Sequence, residues 1–346
     1  MTDNKALIYK SVPHGYPVPG KDLTIEERPF DAAAPPPPKG ITVQLMYSSF
    51  DPYLRQKMRD PRVASYSDAF ELDAPVVSGS IARVLKSDNA RFQPGDIVME
   101  RLPLQRFLAL REDQLQKVKL LDDPFGVGDV RLFLGALGMP GLTAYSSLYD
   151  IGKPKRGETI FVSAASGAVG QFVGQLAKLE GLRVIGSVGS DEKLEYILNE
   201  LGFDAGFNYK KETPAAALAR LAPQGLDIYF ENVGGAHLEA ALDRMNQFGR
   251  LIFSGMVSQY NITEPSYPIR NLGQVVGKRL TIRGFIVGDD NMGPLYAKEH
   301  QERVAPMIKD GRFKVLMHET DGIENAAEGL VGIFYGKNMG KAVLKW

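Results

Sequence analysis

From residue 159 the chain reads Thr159-Ile160-Phe161-Val162-Ser163-Ala164-Ala165-Ser166-Gly167-Ala168-Val169-Gly170. A β-branched, apolar run gives way to small residues and then to a helical stretch from Val169 to Glu180, which reads as strand, glycine turn and helix. At such a turn, backbone N–H groups and the positive end of the helix dipole can hold a pyrophosphate. Ser166, Gly167, Ala168, Val169 and Gly170 are the candidate contacts. Gly167 lets the backbone approach the phosphates, and Gly170 with Gly174 lets the helix lie close on its sheet. The fingerprint is a variant, with Ala165 where the first glycine usually stands. Taken alone, the turn is equally well explained by strand–helix packing.

Its setting favours a dinucleotide. A second strand, Arg183 to Ser187, precedes a helix beginning near Asp191; apolar runs follow at Asp227–Phe230 and Leu251–Phe253, with helical stretches at about 213–222 and 236–247. Alternation of this kind calls for a parallel sheet covered on both faces, a doubly wound domain. A domain that prefers NAD presents an acidic residue at the end of its second strand for the ribose 2′-hydroxyl. Here that strand ends Gly186-Ser187-Val188-Gly189-Ser190, and Asp191 comes late, as the expected helix cap. Lys193, one turn into the helix, is a natural donor to a 2′-phosphate, with Ser190 and Tyr209 able to add hydroxyls. The alternative for Lys193 is an ordinary solvated helix lysine. The missing carboxylate favours NADPH.

Around this middle, residues 1 to about 130 read as short strands broken by turns, Ile41–Met46 among them. The tail carries further strand-like runs at Phe313–Met317 and Lys341–Leu344, with a helix around Ile323–Tyr335. Pro35–Pro38 is an extended connector. The tail resembles the opening region, so the expected organisation is one domain from 1–131 and 305–346, interrupted by a nucleotide domain at 132–304. Lys+Arg and Asp+Glu number 41 each, so the balanced charge offers no footprint for nucleic acid, and the expected partner is a small molecule. Cysteine is absent, which removes disulfides, thiolate nucleophiles and thiolate metal sites. The first twenty residues hold no apolar segment like that of a signal peptide, and no later stretch approaches the roughly 20 apolar residues of a membrane span. A cytoplasmic protein is expected.

Several ordered segments together resemble the zinc-independent medium-chain dehydrogenase/reductases, in particular the leukotriene B4 12-hydroxydehydrogenase/prostaglandin reductase and alkenal double-bond reductase family. They are Asp51–Arg55, Gly138–Tyr145, Ala164–Gly170, Gly189–Lys193, Phe207–Lys210, Glu231–Gly235, Ser254–Asn261, Gly284–Val287 and Gly336–Lys341. The similarity spans nearly the whole chain. It implies a GroES-like β-barrel domain completed by the C-terminal tail, an inserted Rossmann domain, and an active-site cleft between them. It also implies that Lys193 and Tyr209 contact the 2′-phosphate, and that Gly189, Asn232, Ser254, Phe285, Ile286, Val287 and Asn338 line the cofactor. Homodimers joined near Leu280–Arg283 are common in the family. Tyr16–Pro38 and Arg59–Phe70 depart most visibly from its pattern, the latter beside the expected substrate cleft.

Zinc-dependent relatives polarise oxygen with a metal held by converging Cys and His ligands. With no cysteine and only His14, His237, His300 and His318, widely scattered, a zinc site is not expected. Metal-free hydride chemistry suits an acceptor that is already electrophilic, such as the β-carbon of an α,β-unsaturated aldehyde or ketone. The site must then place a donor where negative charge develops on the carbonyl oxygen. Tyr260, after the fifth strand, is the expected donor, because a phenol stays protonated at neutral pH; stacking against substrate is its alternative role. Tyr53 is a second candidate, or a structural residue. The expected reaction is NADPH-dependent C=C reduction; quinone reduction and a non-catalytic NADPH-binding role are the alternatives.

Overall fold

Short strands, the first and third of them largely buried, open the chain. In the computed structural model, which describes residues 3–346, these are β1 (Lys5–Tyr9), β2 (Leu23–Glu27) and β3 (Ile41–Ser49). After the short helix α1 (Tyr53–Lys57) come β4 (Ala74–Pro75), β5 (Val77–Ser87), β6 (Ile97–Pro103), β7 (Phe107–Leu110) and β8 (Lys119–Leu120). β3 pairs with β5 along one edge. On the other edge its first half, Ile41–Gln44, pairs with β7. Register shifts in the β3–β5 ladder bend the sheet over a core that includes Ile41, Val43, Leu45, Val84 and Val98.

The middle of the chain forms a second unit. After α2 (Met139–Ser147) it runs β9 (Thr159–Val162), α3 (Gly170–Leu179), β10 (Arg183–Val188), α4 (Asp191–Glu195), β11 (Ala205–Asn208) and α5 (Pro214–Leu221). It continues with β12 (Leu226–Glu231), α6 (Gly235–Arg244), β13 (Met245–Phe253), α7 (Gln274–Gly277), β14 (Thr281–Gly284) and α8 (Gly293–Lys309). The six strands lie in the order β11-β10-β9-β12-β13-β14 and all pair in parallel. β9, β10 and β12 are almost wholly buried, as central strands covered on both faces must be. Phe161 and Tyr229 stack at 5.0 Å, and Leu218, Leu238 and Leu242 of α5 and α6 pack into the same cluster. Close packing of α3 depends on a missing side chain: a Cβ at Gly174 would run into the Phe203 ring.

The remaining strands, β15 (Met317–Asp321) and β16 (Lys341–Lys345), flank α9 (Ala326–Gly332). β16 pairs antiparallel with Tyr47–Ser49 of β3, and the Trp346 indole N–H donates to Ser48 Oγ at 2.9 Å. The first unit comprises residues up to Leu134, Met317–Asn338 and Ala342–Trp346; the second comprises Gly135–Leu316 and Met339–Lys341. These limits differ from 131/132 and 304/305: a 3-10 turn at Val130–Leu134 spans the first position, and α8 runs unbroken through the second. The expected strand at Phe313–Met317 also begins late, at Met317. Its upstream residues are bound to α3 instead: Gln175 bonds both backbone groups of Lys314, and Gln171 both of Leu316.

Candidate active site

In the order β11-β10-β9-β12-β13-β14 the chain reverses direction across the sheet between β9 and β12, and ligands of such sheets bind outside the carboxyl ends at that point. The segment after β9 forms the turn read from the sequence. Ala165 N–H donates to Ser187 O on β10, and Gly167 N–H returns to Ala164 O, both at 2.9 Å. Ala164 takes a φ of +49°, a left-handed conformation that is rare without glycine, so the turn holds backbone strain one residue before the variant Ala165. Gly340 N–H donates to Ser166 O at 2.8 Å, and Gly167 pairs with Gly340 as an isolated bridge. Gly167, Ala168 and Val169 remain partly exposed. They lead into α3, where Gln171 N–H donates to Gly167 O and the Phe172 and Val173 N–H groups to Val169 O, so the positive end of the helix dipole lies behind the turn, the arrangement that holds a phosphate. At Gly170 a Cβ would meet the Ala164 carbonyl, so this turn needs glycine there.

After β10, Ser190 and not Asp191 caps α4: the Ser190 hydroxyl accepts from Lys193 N–H at 3.3 Å. The extended φ and ψ at Ser190 suit a cap, which leaves Asp191 as the first helical residue. Asp191 Oδ1 accepts from Asn208 Nδ2 at 2.9 Å, and its Oδ2 pairs with Lys211 Nζ; both contacts hold the carboxyl below the usual range. Lys193 is depressed below an ordinary lysine, first by burial and then by the neighbouring Lys210 ammonium. Two cations set together at a strand end form a site that an anion relieves. Tyr209 is 42% exposed, with its hydroxyl beside Gly189 and its ring edge-on to His237 at 5.3 Å. Gly189, Ser190, Lys193 and Tyr209 thus lie together at the ends of β10 and β11, and Lys210 joins them.

At the switch point the ends of β9, β12 and β13 are joined by a buried polar network. Asn232 Nδ2 donates to Ser163 O at 2.8 Å, and Asn232 N–H to Ser163 Oγ at 2.9 Å. Glu231 is wholly buried. Its Oε1 accepts from the N–H groups of Val233 and Gly234 at 2.6 and 2.8 Å and from Ser163 Oγ at 3.2 Å, while burial raises its pKa. Ser254 and Gly255 donate their N–H groups to Glu231 O, and Val257 donates to Asn232 O. Tyr260 closes this loop. Its hydroxyl oxygen accepts from Met256 N–H at 3.2 Å, and burial raises its pKa above the ordinary phenol value, with Glu231 contributing. An acceptor lone pair is thereby occupied, and the hydroxyl proton stays on oxygen as a donor. Phe285, Ile286 and Val287 follow β14, where Gly293 N–H donates to Val287 O at 3.1 Å.

Two of the expected residues belong to the first unit. Tyr53 opens α1 and packs against the cluster of Leu54, Phe70 and Leu330; burial first, and then Asp51, push its hydroxyl pKa well up. Asn338 ends the segment that precedes Met339. Ser163, Glu231 and Lys210 were not expected site residues. Glu231 and Lys210 stand inside the family segments Glu231–Gly235 and Phe207–Lys210, but burial and the turn contacts that give them roles have no sequence period.

The family described as "Zinc-binding dehydrogenase" matches residues 168–302, and that described as "N-terminal domain of oxidoreductase" matches residues 5–118. The chain is 50% identical to NADP-dependent oxidoreductase RED1 of Cochliobolus heterostrophus, covering 100% of this chain and 98% of the relative. It is 41% identical to the 2-alkenal reductase (NADP(+)-dependent) of Nicotiana tabacum, over 99% and 97% of the two chains. The solved structure of CurA in complex with NADPH from Vibrio vulnificus superposes with a TM-score of 0.89 at 34% identity, covering 99% of this chain and 98% of that one. The chain belongs to the zinc-independent medium-chain dehydrogenase/reductases, in the alkenal double-bond reductase family. Its first unit is the GroES-like domain and its second the Rossmann domain. Among the described residues no three His, Asp or Glu side chains converge as metal ligands, and no helix is long and apolar enough to cross a membrane.

Proposed function

We propose that this protein is an NADPH-dependent oxidoreductase that saturates the C=C bond of α,β-unsaturated aldehydes and ketones. The residues present fit the cofactor: the open turn at Gly167–Val169 suits the pyrophosphate, and the Lys193–Lys210 pair suits a 2′-phosphate. Asn232, Ser254, Phe285–Val287 and Asn338 would line the remainder. When bound, NADPH supplies the hydride that adds at the β-carbon. The observation that carries the reading is Tyr260, a protonated hydroxyl whose oxygen is held by Met256 N–H. Such a donor stabilises charge developing on a carbonyl oxygen only if it is placed in advance, and the bonds from the loop to Glu231 and Asn232 do that placing. Tyr53 is a further substrate contact in this reading.

The names of the tobacco and Vibrio relatives support the reaction class and the cofactor. The test uses NADPH deuterated at C4 with a panel of enals, enones and quinones. Label on the β-carbon of a saturated product is expected. Label on the carbonyl carbon, hydroquinone formation alone, or cofactor binding without turnover across the panel would each overturn the reading. The same proposal includes a cytoplasmic homodimer. Among the described residues β14 has a neighbour on one side only, and it is exposed along its length, with Ile282 at 36% and nearby Val276 at 80%, so that edge suits a second copy. Light scattering of the parent and of Ile282→Pro checks this, with loss of dimer expected in the variant.

A further inference from the structure

The first acid after β10, Asp191, is not simply late in the sequence; it is restrained. Asn208 is buried, and both ends of its amide are engaged: Nδ2 donates to Asp191 Oδ1 at 2.9 Å, and Oδ1 accepts from Lys210 N–H at 3.1 Å. Lys211 closes on the other carboxylate oxygen. The Asp191–Lys211 pair is exposed, with side chains 54% and 68% accessible, and such pairs add little to stability. Its effect is therefore sought on the neighbouring charges. Lys210 and Glu192 act on the Lys193 charge, while the Asp191 carboxylate is directed to Asn208 and Lys211, which hold its pKa down.

We infer that Asn208 and Lys211 set coenzyme preference by holding and neutralising Asp191 beside the 2′-phosphate site. The carboxylate is kept from the ribose hydroxyls that it would bind in an NAD-preferring domain, and its charge is kept from repelling the phosphate. This rests on the reading that Lys193 meets the 2′-phosphate.

The experiment is calorimetric titration of the full-length apoprotein with 2′,5′-ADP and with 5′-AMP at low ionic strength. Lys211→Ala is expected to weaken 2′,5′-ADP by about three- to five-fold, the scale of a partly exposed charge interaction, and to leave 5′-AMP unchanged. Adding Asp191→Asn to Lys211→Ala is expected to restore 2′,5′-ADP. An unchanged affinity in Lys211→Ala, or no recovery in the double variant, overturns the inference, the latter because Lys211 would then act on the phosphate directly. Lys193→Ala separates the two layers. If it weakens 2′,5′-ADP alone while Lys211→Ala does nothing, the phosphate site stands and the role of Lys211 falls. If it weakens both nucleotides equally, the phosphate reading falls and takes this inference with it.

Discussion

Replacing Tyr260 with Phe removes one oxygen that has two partners in prospect. On one side it accepts from Met256 N–H at 3.2 Å; on the other its proton is the proposed donor to substrate. Loss of the first contact costs about 1 kcal/mol of stability, the net worth of an ordinary hydrogen bond. Loss of a preorganised oxyanion donor in a closed site lowers turnover about 10²–10³-fold. Tyr260 is only partly buried, which weakens its field, so a fall in kcat of about 10- to 100-fold is expected, or about 1.4–2.7 kcal/mol. KM should change less, because the interaction strengthens as charge develops on the oxygen. The assay is steady-state reduction of an enal at saturating NADPH, paired with thermal unfolding of the same preparations. Since burial raises the Tyr260 pKa above 10, its donor form persists to at least that pH, and no loss of kcat between pH 7 and about 9.5 should trace to it. A Tyr260→Phe variant with kcat within about two-fold of the parent would refute the argument and return Tyr260 to a packing role.

Glu231→Ala strips the acceptor from the Val233 and Gly234 N–H groups and should destabilise the second unit by on the order of 3 kcal/mol in denaturant; Glu231→Gln, which keeps an acceptor, should lose less. His237 and His300 are buried, and burial lowers both pKa values to about 4. The unfolded chain, with histidines near 6.5, therefore takes up protons first. Their contribution is whole above pH 6.5 and is lost as pH falls toward 4, by up to roughly 3 kcal/mol each. Denaturant titrations across that window should show a shallower loss in His237→Phe, and an identical slope would refute the assignment. Incubation with a strong chelator should leave turnover intact; inhibition reversed only by added zinc would contradict metal-free chemistry.

The sheet was legible because its signals are local. Thr159–Val162 and Asp227–Phe230 are apolar runs of strand length, and the glycine turn between strand and helix is short enough to read as a unit. Parallel pairing followed from the alternation of strand and helix, since parallel neighbours need crossovers; the order of the strands did not. Less was legible where side chains decide the backbone's partners. Phe313–Leu316 has the composition of a strand, yet Gln171 and Gln175, about 140 residues earlier, take its backbone groups. Asp191 was read as a cap because aspartate favours that position; Ser190 stands one residue before it and has the extended backbone a cap requires. Neither outcome leaves a periodic trace.

The same limitation hid Glu231, and its place shows why an enzyme of this kind would retain a costly group. A buried carboxyl contributes nothing to the apolar core, and burial alone disfavours its charged form. What offsets the cost is position. Its side chain holds the turn after β12, while its backbone carbonyl accepts from Ser254 and Gly255 after β13, and Ser163 ties both to the end of β9. One residue thus fixes three strand ends against one another at the switch point. Tyr260 hangs from the loop after β13 through Met256, and that loop is held by the backbone carbonyls of Glu231 and Asn232, so the placement of a donor hydroxyl reduces to hydrogen bonds on the segment that the buried carboxyl orders. An apolar residue at 231 could fill the space and would keep the backbone carbonyl that accepts from Ser254 and Gly255, but it would leave the N–H groups of Val233 and Gly234 without the carboxyl that anchors their turn.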